Sequence, residues 1–186
     1  MLNMPVEEIQ RAYLILLALT LPISLWAFFS DLKHMKIPNR AVYALAGVWL
    51  VAGALLFPLD AWAWRWVNAV AVYFVGYILY ALRAPVGAGD AKFAAAAAPF
   101  VFPNHVGVIL VSLSMFSIAA LIAHRTLRAI PAVVRATPDW ASWKRGKNWL
   151  TEKFPFGLAL VATFVFYLCF VALPPVHGWV ASLMSR

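Results

Sequence analysis

Apolar runs of membrane-crossing length recur along this chain, and they decide what it can fold into. A helix needs about 20 apolar residues to cross a hydrocarbon core roughly 30 Å thick. Six candidate runs occur: Ala12 to Ser30, Ala41 to Leu59, Val67 to Leu82, Ala91 to Phe102, Val106 to Ala123 and Phe156 to Leu173. Of the 186 residues, 65% are hydrophobic and 12% charged, with mean hydropathy +0.83. A soluble domain of that size has too much surface to hide such a composition. The expected fold is an all-α integral membrane protein of about six transmembrane helices, one polytopic domain over residues 1–186. The fourth run is the exception, because 12 residues extend only about 18 Å, which suits a short or re-entrant piece. Glu7 and Glu8 beside a single Arg11 are not the basic start of a cleavable signal, so the first run is expected to stay.

Charge orients the spans. With the N-terminus outside, twelve of the 15 basic residues fall on cytoplasmic stretches, namely Lys33, Lys36, Arg40, Arg83, Lys92, Arg125, Arg128, Arg135, Lys144, Arg145, Lys147 and Lys153. Only Arg11, Arg65 and Arg186 stay outside, which obeys the positive-inside rule and leaves both termini external. This accounts for the net charge of +8 through membrane lipids, with no nucleic-acid partner. Trp62, Trp64, Trp66 and Trp179 fall in external loops and read as an interfacial aromatic belt. The polar stretch 124–154 carries seven basic residues together with Trp140, Trp143 and Trp149, broken by Pro131 and Pro138. It is expected to be a basic cytoplasmic loop lying on the anionic leaflet, or a docking surface for an acidic partner segment.

Five of the seven acids, Glu7, Glu8, Asp60, Asp139 and Glu152, sit in loops where water solvates them. Asp31 ends the first run and Asp90 begins the fourth, both at the cytoplasmic edge, and ionisable groups at membrane depth usually mark a function. Asp90 lies in Gly87-Ala88-Gly89-Asp90-Ala91-Lys92, preceded by Pro85. Two glycines and a proline disfavour regular helix, so an irregular turn open to close approach is expected here. The competing reading is a loop whose Asp caps the fourth helix. Asp31 opens the stretch that runs through Ile37-Pro38-Asn39 to Arg40, and alone it reads equally as a loop acid beside Lys33 and Lys36.

Taken together, Asp31 with Ile37-Pro38-Asn39, the Gly-Ala-Gly-Asp-Ala-Lys run, and Phe154-Pro155-Phe156-Gly157-Leu158-Ala159 at the start of the last span resemble the type IV prepilin peptidases, intramembrane aspartic proteases of the GxGD type. The resemblance implies that Asp31 and Asp90 are the catalytic pair and that Pro38, Asn39, Gly87, Gly89, Lys92, Pro155 and Gly157 shape the site. It also implies a prepilin or pseudopilin precursor as substrate, cut behind its N-terminal leader at the cytoplasmic face of a bacterial inner membrane. Longer members carry a cytoplasmic insert with paired cysteines and methylate the new N-terminus. Here the only thiol is Cys169, so a peptidase-only form like those of tight-adherence (Flp) pili is expected. Lys92 either lowers the pair's proton affinity or snorkels to lipid phosphates.

Rival chemistries find less support. His34 and His124 fall on one side of the membrane and His105 and His177 on the other, so no metal or cofactor is expected. No Gly-x-Ser-x-Gly elbow is present. The alternative from another class is a small proton- or ion-coupled carrier built on the Asp pair, although such carriers place their sites near the midplane rather than at an edge.

Overall fold

A computed structural model describes residues 4–82, 87–144 and 154–173. Pro85, Arg83, Arg145, Lys147, Trp149, Glu152, Lys153, His177, Trp179 and Arg186 lie outside the described residues. Those described are nearly all helical: α1 (Val6–His34), α2 (Asn39–Val48), a π turn (Trp49–Gly53), α3 (Ala54–Leu56), α4 (Leu59–Ala81), α5 (Ala88–Ala97), α6 (Val106–Ala129), α7 (Pro131–Ala136) and α8 (Gly157–Ala172). Three helical stretches, Val6–His34, Asn39–Leu56 and Pro103–Ala129, are long and apolar enough to cross a membrane, and α8 is a shorter apolar helix. α4 has the length, 23 residues, but its first turns are diluted by Asp60, Arg65, Asn68 and three tryptophans.

The local sequence explains the boundaries. α1 begins with Glu7 and Glu8 and ends with Lys33 and His34, matching the helix dipole at both ends. It closes on Met35 in the left-handed conformation (φ 54°), whose N–H bonds Asp31 O at 2.8 Å. Pro38 then forces Ile37 away from helix and starts α2. α8 is the central helix, buried along most of its length and packed against α1, α5 and α6. The core gathers Tyr13, Leu16, Trp49, Phe57, Phe93, Phe100, Phe164, Tyr167 and Leu168. By contrast, α6 leaves Leu110, Val111, Met115, Ile118 and Ile122 exposed, the surface a lipid-facing helix presents.

α5 is only ten residues long and continues into a 3-10 turn at Ala98–Phe100. The chain therefore turns back inside the bundle, where bare backbone must find protein partners. Side chains from three helices supply them: Tyr13 Oη donates to Phe100 O, Asn68 Nδ2 donates to Val101 O at 3.2 Å, and Phe102 N–H donates to Tyr167 Oη at 2.9 Å.

Two sequence expectations are corrected. The run from Gly87 is not an irregular turn: Gly87 is the N-cap and helix begins at Ala88, because Gly89 packs against Ile37 and the Asp90 carboxylate satisfies the Gly87 N–H. Trp62, Trp64 and Trp66 are not in a loop but in the first turns of α4. Trp64 alone is exposed, while Trp62 and Trp66 pack against the core and Trp62 Nε1 bonds Trp49 O at 3.0 Å. Arg65, counted among the three external cations, is buried, only 3% exposed. Within the basic stretch, α6 runs on through His124 to Ala129. Trp143 is buried, stacked on His124 and Trp140, in a 3-10 turn packed against α1.

Candidate active site

Asp31 sits in the last turn of α1 and is 5% exposed. Its Oδ2 accepts the Gly157 N–H at 2.8 Å, an amide of the first turn of α8, 126 residues away in sequence. The free amides of a helix start favour an anion there. The fit leaves no slack, since a Cβ on Gly157 would lie 2.7 Å from Asp31 Oδ2 and 2.9 Å from Cγ. Pro155, fully buried two residues earlier, precedes that turn.

Asp90 is the third residue of α5 and half-buried. Its Oδ2 accepts the Gly87 N–H at 3.1 Å, the return half of a capping box. Gly87 is needed for this closure, because a Cβ there would stand 2.8 Å from that oxygen.

The two carboxylates, one from α1 and one from α5, lie within electrostatic reach of each other. Asn39, at the start of α2, accepts a long hydrogen bond of 3.4 Å from Lys92 Nζ, and Pro38 caps the same helix. Gly89 is placed differently from the other two glycines: a Cβ on it would meet Ile37 at 3.5 Å, ordinary contact, so nothing there demands glycine. Among the described residues, no three His, Cys, Asp or Glu side chains gather as a metal site would require.

A second polar cluster, at the opposite end of the bundle, was missed by sequence reasoning. Tyr13 precedes Asp31 by 18 residues on α1, about 27 Å of helix. There Arg65 Nη1 donates to Tyr13 Oη at 3.0 Å, and its guanidinium lies 4.0 Å from the Phe102 ring centroid, 4.9 Å from Phe57 and 5.4 Å from Trp49. Tyr167 Oη sits 3.1 Å from His105 Nδ1. Polar-tipped aromatics inside otherwise apolar spans were the available signal.

Fold and site define a helical membrane protein with two acids drawn together at one end of the bundle. The chain belongs to the type IV leader peptidase family, whose profile matches residues 18–124, more than half of its length. That makes it a hydrolase of prepilin-type leader peptides. The matched stretch holds both Asp31 and Asp90 but stops short of Gly157, whose tie to the site is its amide on Asp31. Comparison with curated proteins finds no match, and neither does comparison with solved structures.

Proposed function

We propose that this chain is an intramembrane aspartic endopeptidase that removes the N-terminal leader of prepilin-like precursors at the cytoplasmic face, with Asp31 and Asp90 as its catalytic pair. The observation that carries the reading is the convergence of α1, α5 and the start of α8 on these two acids in a chain of this family. Two nearby carboxylates cannot both ionise freely and so share a proton, leaving one as base and one as acid. The ionised partner takes a proton from a water held between them, and the oxygen so activated attacks the scissile carbonyl. The protonated partner donates to the carbonyl oxygen, and the proton passes on to the leaving amine. The pair titrates as a unit.

The Gly157 amide holds one oxygen of Asp31 and leaves the other for the water. The Gly87 amide does the same for Asp90. Pro38, Asn39, Lys92 and Pro155 frame this arrangement through the start of α2 and the entry to α8. In the membrane, α1, the stretch Asn39–Leu56, α4, α6 and α8 cross with α5 as the short fourth span, both termini outside and the acids inside. Cys169 is the only thiol, so the reading extends to a peptidase without N-methyltransferase activity, serving Flp-type pili. The test is cleavage of a synthetic precursor by purified protein in detergent. A shortened product that persists under strong chelation is expected, whereas loss on chelation with recovery on adding zinc rejects the aspartic chemistry.

A further inference from the structure

A slot runs between α4 and α5 on the side of α5 turned away from the acids. Successive helical residues are about 100° apart, which puts Ala88, Ala91 and Lys92, all lining the slot, on one face and Asp90 on the other. The facing wall is Tyr73, Tyr77 and Tyr80 on α4, each exposed. Their spacing stacks them on one stripe about 10 Å long. At its base α4 and α5 touch: Gly76 is buried and a Cβ on it would lie 2.7 Å from Ala91 Cβ, so the two helices meet there with no room between them. The slot has room for about 130 Å³. That suits a stretch of hydrocarbon chain, not a helix about 10 Å across.

We propose that this slot binds one anionic phospholipid, an acyl chain lying along the Tyr73, Tyr77 and Tyr80 stripe and the phosphate resting on the Lys92 ammonium and the neighbouring tyrosine hydroxyls. Three observations choose that occupant. α5 stands between the slot and Asp90, so a scissile peptide bond seated here does not reach the acids. The tyrosine stripe continues a broad exposed apolar face, with Phe74, Val75, Ile78 and Leu79 beside it, so the slot opens sideways to acyl chains. Among the described residues Lys92 is the only charged one lining the slot, and its long bond to Asn39 leaves donors for a phosphate oxygen. Lys33, Lys36 and Arg40, exposed on the α1–α2 segment that meets this end of α5, add to the attraction for an anionic leaflet.

The experiment is native mass spectrometry of the full chain in neutral detergent, titrated with phosphatidylglycerol or phosphatidylcholine of identical acyl chains. Phosphatidylglycerol is expected to bind at least about tenfold more tightly, a difference of roughly 1.4 kcal/mol. Lys92→Gln should erase that preference, whereas Lys33→Gln, at an exposed cation outside the slot, should keep it. Tyr73→Ala, which removes a wall at an exposed position, should weaken both lipids. Millimolar inorganic phosphate should displace neither, because the chain holds the ligand. Equal retention of the two lipids, or an undiminished preference in Lys92→Gln, overturns the proposal. Displacement of the lipid by the precursor also overturns it, in favour of a peptide site.

Discussion

The two ends of the bundle handle charge in opposite ways. At one end Asp31 and Asp90 each accept a glycine's own backbone N–H, and Asp90 stays half open. At the other, Arg65 is enclosed by Phe102, Phe57 and Trp49, with one hydrogen bond to Tyr13. Ring faces compensate a guanidinium without offering it a proton acceptor, so that charge is held and not used. Amides fix one oxygen of a carboxylate and leave the other available, which is what proton transfer needs. The difference teaches that a buried charge is not by itself a reactive one, and that its neighbours decide.

The largest effect separating the ends should come from the acids themselves. Asp31→Asn and Asp90→Asn are each expected to cut cleavage about 100- to 10,000-fold, with the double variant no worse than either, since members of one catalytic unit are non-additive. Full cleavage by Asp31→Asn would break the comparison by making Asp31 an ordinary buried acid. Next, Gly157→Ala should cost about 100-fold in cleavage, because its methyl overlaps the Asp31 carboxylate and small misplacements are amplified in rate. Gly89→Ala, with room at Ile37, should cost little; equal losses in a peptide-cleavage assay would show that the glycine contacts are not what sets the carboxylates.

Arg65→Met belongs to the other end. It should lower stability by about 1–3 kcal/mol in a detergent unfolding titration while cleavage per folded molecule is retained. A selective loss of turnover would join the two ends into one functional unit.

The acids were legible in the sequence because a carboxylate at the edge of an apolar run is costly to keep there unless it is used, and the motifs around Asp90 and Gly157 narrowed that use further. The start of α5 was not, since Gly87 and Gly89 read as helix breakers until Ile37 and the Asp90 oxygen supply their partners. Arg65 was hidden for a related reason. Its partners, Tyr13, Trp49, Phe57 and Phe102, are spread over four separate elements or turns, and aromatic faces carry no charge for a pattern of opposite signs to reveal. Trp62 and Trp66 were read as loop residues because tryptophan between apolar runs gives no sign of the core they pack against in the first turns of α4.

The pinned turn at Phe100–Phe102 gives the alanine run Ala94–Ala98 a meaning beyond helix propensity. Tyr13 and Asp31 are fixed distances along one rod, α1, and they meet the two ends of another, since Phe100 closes the far end of α5 and Asp90 opens the near one. The alanines between act as a ruler. Removing one would draw Asp90 back about 1.5 Å and rotate it about 100° relative to the pinned end, turning its carboxyl out of line with Asp31. Chain length in this stretch is thus a measured quantity, and changes in side chain should be forgiven more readily than changes in count.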